Sequence, residues 1–322
     1  MDYHNIMKRF LSFLFLMPMI LFTTGCNQTP QEDPPTPEPE PPVVEPVPVD
    51  VVIISGQSNG VGCTYCKEIK NSMGASKYQD YMRGFPNIKI AYDCWTKDEY
   101  SRFYSQNKSK DDNFVKVMLG QGNSEVTFGP EIGIADSLNE EYGNKLFLIK
   151  YACGASNLKD DWTKKDSPMY PRLIEYVKKQ MRNLEDSGYI PTIKAFCWMQ
   201  GEGDSYDGYY QVYYDNTKEF VSNLREDLKS LAGNKDIPFI DAGINNSKNE
   251  NGLIWQYYKK VNEAKAKFAE ESDINIYIDT IAAGMHTNKE PTGNVDPCHY
   301  DSESEYLLGQ LFAQNFEQFL EK

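Results

Sequence analysis

Ser58 lies in Gly56-Gln57-Ser58-Asn59-Gly60, directly after the apolar run Val51 to Ser55, so its hydroxyl sits on a tight turn at the end of a predicted strand. Glycines on both sides let the chain turn sharply and let a substrate approach. A serine hydroxyl is a weak nucleophile until a base takes its proton, and histidine is the usual base because its pKa lies near neutrality. The chain has three histidines. His4 precedes an apolar export-type segment, which leaves His286 and His299. His299 closes Asp296-Pro297-Cys298-His299, where a carboxylate three residues upstream can turn back onto the imidazole across a proline turn. His286, in Gly284-Met285-His286-Thr287 with Asp279 farther upstream, has the looser arrangement and reads as a loop histidine.

Acyl transfer also needs donors aimed at the oxyanion that develops on the carbonyl. Two further loops follow predicted strands: Ala152-Cys153-Gly154-Ala155-Ser156 and Gln200-Gly201-Glu202-Gly203-Asp204. The Gly154 N–H, the Gln200 Nε2 and the Ser58 N–H are the candidate donors. No metal or organic cofactor is required for this chemistry.

Cysteine offers a competing chemistry. Apart from Cys26 there are six: Cys63, Cys66, Cys94, Cys153, Cys197 and Cys298. Cys63-Thr64-Tyr65-Cys66 has the spacing of a redox pair or of half a zinc site, but a second C-x-x-C is missing and ligand histidines are scarce. Cys153 and Cys197 fall in apolar runs, as small buried hydrophobes do. A disulfide from Cys63 or Cys66 to Cys94 is open.

The elements that must position these residues are legible from apolar patterning. Runs at 51–55, 88–92, 146–151, 193–199, 238–242 and 274–279 read as strands buried on both faces. Helical periodicity covers 130–142, 169–186, 209–231, 253–272 and 303–320. Strands alternating with amphipathic helices predict an α/β fold, a three-layer α/β/α sandwich on a mainly parallel sheet. Ligands then collect beyond the carboxyl ends of the strands, where Ser58, Gly154 and Gln200 all fall. Residues 59–121 read as a loop-rich insertion beside the pocket.

The N-terminal part speaks of location. Lys8 and Arg9 precede the apolar stretch Phe10 to Phe22, which is short for a spanning helix and suited to a signal peptide. Thr23-Thr24-Gly25-Cys26 follows, and then a segment from Asn27 to Asp50 in which nine residues are proline and six are acidic. Such a segment cannot build a core and reads as an extended tether, leaving one large domain from Val51 to Lys322. The chain of 322 residues carries a net charge of −14, which disfavours nucleic acid as a partner and suits a neutral or weakly charged substrate. Its 22 tyrosines are compatible with stacking on sugars.

Two resemblances join these features. The segment ending at Cys26 resembles the lipobox of bacterial lipoproteins, with Thr23 where that family usually has leucine. It implies lipidation of Cys26 and attachment to a bacterial envelope, at the outer membrane. From Val51 to Leu320 the chain resembles the SGNH hydrolase superfamily, within it the sialate O-acetylesterases and family 6 acetylxylan esterases. The motifs are Gly56-Gln57-Ser58-Asn59, Phe128-Gly129-Pro130-Glu131, Gly154-Ala155-Ser156-Asn157-Leu158 with Trp162 downstream, Gln200-Gly201-Glu202-Gly203-Asp204, and Asp296-x-x-His299. The resemblance implies Ser58 as nucleophile, His299 as base, Asp296 as its partner, and Gly154 and Gln200 as oxyanion donors. Gln57 and Asn59 would be supporting residues, and Glu131 and Glu202 loop-bracing carboxylates. Met199, Ala155 and Gly203 depart from the family's usual histidine, glycine and serine. The activity implied is removal of acetyl groups from a glycan, acetylated xylan or O-acetylated sialic acid; the alternative is a catalytically silent glycan binder of the same fold.

Overall fold

The computed structural model describes residues 45–97, 101–102 and 113–320. The apolar export segment, Cys26 and the tether up to residue 44 lie outside the described residues.

Six strands form a parallel sheet: β1 Val47–Gly56, β2 Phe85–Thr96, β3 Leu146–Gly154, β4 Tyr189–Met199, β5 Phe239–Ala242 and β6 Asn275–Ile278. Their order across the sheet is β6-β5-β4-β1-β3-β2, and short antiparallel pieces at Ser101–Arg102 and Val115–Val117 extend the β2 edge. β1 is central, with Ile53 level with Ile149 of β3 and Phe196 of β4. Val51, Val52, Ile53 and Ile54 are all inaccessible, which is why this run shows no alternation: both faces are covered.

β1 begins four residues before the expected domain boundary. Val47, Pro48 and Val49 pair with β4, whereas pairing with β3 starts only at Asp50. Pro48 lacks an N–H, and it is accommodated where the strand has one neighbour instead of two. The last residues of the expected tether therefore belong to the sheet.

Among the described residues eight α-helices accompany the strands: α1 Ser58–Val61, α2 Cys66–Ser72, α3 Ala75–Arg83, α4 Glu131–Leu138, α5 Tyr170–Asp186, α6 Tyr213–Leu228, α7 Tyr258–Ala269 and α8 Ser302–Phe316. Adjacent residues of β3 identify the two layers. Lys150 points to Glu131 of α4, while Tyr151 faces Tyr176 of α5 at 5.3 Å between ring centroids. The α5 side is filled by aromatics, with Trp198 of β4 packed edge-on against Trp162 at 5.4 Å and against Phe220 of α6 at 4.8 Å. The expected three-layer α/β/α sandwich is the observed fold.

The insertion after Ser58 differs from expectation, because its first part is helical. α3 buries only Tyr81 and α2 buries Cys66, Glu68 and Ile69, so neither carries a long apolar stripe that patterning could detect. The helix expected at 253–272 starts at Tyr258; Gly252–Leu253 instead pairs with Lys248–Asn249 in a small hairpin. Likewise α6 starts at Tyr213, after a 3₁₀ turn at Tyr210–Val212.

Candidate active site

The chain builds β2 and β3 on one side of β1 and then crosses to build β4, β5 and β6 on the other, so the loops after β1, β3 and β4 meet at the switch in strand order, the place where crevices open in such sheets. Ser58 stands in the first turn of α1 and is partly exposed. Gly56 makes the turn: its φ is +138°, and a Cβ there would lie 1.9 Å from the Met199 carbonyl oxygen. No residue with a side chain fits.

The residues flanking Ser58 fasten it to the rest of the site. Gln57 is buried, and its Oε1 accepts from the Gly203 N–H at 3.0 Å, the Gly201 N–H at 3.3 Å and Gln200 Nε2 at 3.2 Å. Asn59 donates from Nδ2 to Glu202 Oε1 at 2.7 Å, and its Oδ1 accepts from the Tyr300 N–H at 3.2 Å. One neighbour of Ser58 thus bonds one neighbour of His299. From beneath, the fully buried Lys150 ammonium donates to Glu131 Oε2 at 2.7 Å, to the Gln121 carbonyl at 2.6 Å and to the Val61 carbonyl at 3.0 Å, holding the end of α1. Glu131 Oε1 accepts from the Gly129 N–H at 2.9 Å.

His299 Nδ1 and Asp296 Oδ2 are 2.6 Å apart, and Asp296 Oδ1 accepts from the Cys298 N–H at 2.9 Å, which closes the turn. Burial works to lower the imidazole pKa, but hydrogen bonds to Asp296 and to the Cys63 side chain outweigh it and hold His299 above its ordinary value. Burial would raise Asp296, yet its bond to His299 prevails and keeps the carboxyl below the usual range. His286 is engaged elsewhere. Its Nδ1 lies 2.5 Å from Asp301 Oδ2, not against Asp279, and Lys289 Nζ stands 2.9 Å from its Nε2.

Gln200 is not available as an oxyanion donor. Its side chain is wholly buried, and Nε2 donates to Asp204 Oδ2 at 2.6 Å and to Gln57 Oε1 at 3.2 Å. The Ser156 carbonyl, at 3.4 Å, is a third acceptor for its two amide hydrogens, so Gln200 is a brace. Asp204, which burial pushes up to about 6, also accepts from the Leu158 N–H at 2.6 Å and the Lys159 N–H at 3.3 Å. It ties the loop after β4 to the loop after β3. Gly203 is glycine because the two loops touch: a Cβ would lie 2.4 Å from the Ser156 carbonyl oxygen.

Gly154 is buried at the end of β3, level with Thr96 of β2, and its carbonyl accepts from the Lys97 N–H at 2.9 Å. A residue in a strand points its N–H and its carbonyl to the same side, so the Gly154 N–H also faces β2 and is not turned to the crevice as the expected oxyanion donor. Ala155 next to it has φ +59°, in the left-handed region that a residue with a side chain rarely adopts. Trp162 Nε1 donates to Ser156 Oγ at 2.9 Å, and Ser156 Oγ donates to the Cys153 carbonyl at 2.7 Å, fixing that loop from inside.

Local spacing does not show the Gln57, Asn59 and Asp204 partnerships; the clustering of amide and carboxylate residues after two strands is their only trace in the sequence. The thiols also separate. Cys66 is buried, whereas Cys63 is partly exposed. All six cysteines among the described residues are free.

Comparison with known proteins agrees with this architecture. The family described as carbohydrate esterase, sialic acid-specific acetylesterase, matches residues 48–318. No match is found among curated protein sequences. Among solved structures, a protein of Arabidopsis thaliana superimposes with a TM-score of 0.57 at 21% identity, over 85% of this chain and 100% of its own. NanS gives 0.54 at 13% identity over 86% and 99%. A carbohydrate acetylesterase from Xanthomonas citri gives 0.51 at 14% identity, over 84% of this chain and 56% of that one. At these identities the solved structures attest the fold, while the match over 48–318 assigns the family: the chain belongs to the carbohydrate esterases of the sialic acid-specific acetylesterase family.

Proposed function

We propose that this carbohydrate esterase removes O-acetyl groups from a sugar through an acyl-enzyme on Ser58. The observation that carries the reading is the 2.6 Å contact of His299 Nδ1 with Asp296, on a segment bonded through Tyr300 to the residue after Ser58. With Nδ1–H held by Asp296, Nε2 is left to take the Ser58 proton as Oγ attacks the acetyl carbonyl. Asp296 fixes the tautomer and offsets the charge on the imidazolium. The N–H of Ser58, in a first helical turn where amides lack intrahelical partners, is the proposed oxyanion donor. His299 then protonates the departing sugar oxygen. Water, activated by the same base, releases acetate.

The family's description supports an acetylated sugar, and O-acetylated sialic acid and acetylated xylan are the substrates to compare. Tyr206, exposed beyond Asp204, and the partly exposed Tyr209 offer ring faces for a sugar to stack on. Acetate release from both glycans by the native protein and by Ser58→Ala tests the reading. A fall in kcat of about 10⁴ or more is expected; a Ser58→Ala protein that keeps its rate removes Ser58 from the mechanism. We further propose that the enzyme works from a lipid anchor at Cys26, which a Cys26→Ala form still partitioning with membranes would refute.

A further inference from the structure

Asp296 orients the base, and its own place is set by residues outside the triad. It follows the exposed residues 292–295, and its N–H donates to the Glu290 carbonyl at 2.8 Å. Glu290 is held in turn from two sides. Its N–H donates to Asp301 Oδ1 at 2.7 Å, while its Oε2 accepts from the Ser302 N–H at 2.6 Å and its Oε1 from Ser302 Oγ at 2.8 Å. Each carboxylate thus bonds a backbone N–H of the other segment: Asp301 takes that of Glu290, and Glu290 takes that of the residue after Asp301. This reciprocal clasp closes the neck of the loop 291–300, which carries Asp296 and His299.

The start of α8 departs from the usual pattern to make the clasp. An aspartate just before a first helical turn ordinarily caps it by accepting from the N–H two or three residues on. Asp301 makes no such bond. Its buried carboxylate turns instead to the N–H groups of Asn288 and Lys289, both at 3.1 Å, to that of Glu290, and to His286 Nδ1. Glu290 takes the first amide of the helix in its stead. Ser302 Oγ also lies 2.7 Å from Ser72 Oγ at the end of α2, so the clasp is anchored on packed helices and not on the exposed loop.

We infer that Glu290 is a positioning residue of the esterase, whose side chain fixes the Asp296 backbone so that the Asp296 carboxylate stays on His299 Nδ1. The path runs from Ser302 to the Glu290 carboxylate, from the Glu290 carbonyl to the Asp296 N–H, and from Asp296 Oδ2 to His299 Nδ1. What the clasp needs at position 290 is reach and an acceptor, not charge. Glutamine keeps both: its Oε1 accepts from the Ser302 N–H, and its Nε2 donates to Ser302 Oγ, which then donates to Ser72. Aspartate keeps the charge but is one methylene short. The positioning stands on these hydrogen bonds, and only its effect on rate rests on His299 being the esterase base.

The test compares full-chain Glu290→Asp and Glu290→Gln with the native protein. The first readout is the NMR titration of the His299 Cε1–H, assigned by its loss in His299→Ala. Asp296 holds the imidazole pKa up, so the midpoint should fall by about one unit in Glu290→Asp and stay at the native value in Glu290→Gln. Cys63, Cys298, Glu202 and Glu305 also act on His299 through their charges, but Glu290 bonds none of them, so they contribute alike to all three proteins. The second readout is hydrolysis of 4-nitrophenyl acetate. In Glu290→Asp kcat should fall by about tenfold to a hundredfold with KM within about threefold of native, and in Glu290→Gln both should stay within about threefold. A native midpoint in Glu290→Asp, or the same fall in both variants, overturns the positioning. A shifted midpoint with a native rate in Glu290→Asp overturns its part in catalysis. A native protein that is inert on acetyl esters fails the proposed function, while the His299 midpoints still decide the clasp.

Discussion

His299 carries the chemistry only in its neutral form, and its environment favours the charged one. Burial opposes the charge, but Asp296 and Cys63 together hold the pKa above the ordinary histidine value. The base is therefore protonated, and inactive, over a wider range of acid pH than a free histidine. The low-pH limb of kcat/KM, set by the free enzyme, should lie to the alkaline side of about 6.5. Asp296→Asn removes the stronger of the two partners, so this limb should move toward acid while kcat falls by about 10⁴. A limb that stays in place in Asp296→Asn would detach Asp296 from the base. Gln200 makes the complementary point, since a residue type suited to donating to an oxyanion spends both hydrogens on Asp204 and Gln57.

The loops after β1, β3 and β4 act as one element because buried polar groups stitch them. Asp204 accepts from Gln200 of its own loop and from the Leu158 and Lys159 amides of the loop after β3. Asp204→Asn would set an amide NH₂ against these donors, a loss of about 1–3 kcal/mol in urea unfolding. A variant as stable as the native protein would mean the loops hold without this carboxylate. Gly56 joins β1 to the Ser58 turn with φ +138° and the Met199 carbonyl pressed against it. Gly56→Ala combines strain with overlap and is expected to cost about 3 kcal/mol or more, read as a lowered urea midpoint. A midpoint within experimental error of the native one would show that the turn can rearrange.

Across the whole molecule, the ion pair of Lys150 and Glu131 spans the sheet and α4 with both side chains fully buried. Exposed pairs contribute little, but removing one partner of a buried pair leaves a charge without compensation. Glu131→Gln should therefore destabilise the domain by about 3–5 kcal/mol in urea unfolding, and adding Lys150→Met should restore part of that loss. A cost below about 1 kcal/mol for Glu131→Gln would show that the Val61 and Gln121 carbonyls suffice for Lys150. This pair was invisible in the apolar run 146–151, where a lysine interrupts an otherwise hydrophobic strand. The layers, the six parallel strands and the strand-end positions of Ser58, Gly154 and Gln200 were legible, because apolar periodicity and Gly-rich turns are local properties of a sequence. The closeness of Asp296 to His299 was legible too, being three residues of turn. What joins them to Ser58 was not: Asn59 and Tyr300 are 241 positions apart, and Gln57 and Gln200 are 143 apart. The sequence by itself thus determined which groups stand at the sheet edge. Only the tertiary structure decided which of their hydrogens and lone pairs remain free, because each buried polar group must be satisfied by partners that the fold, and not the local chain, brings within reach.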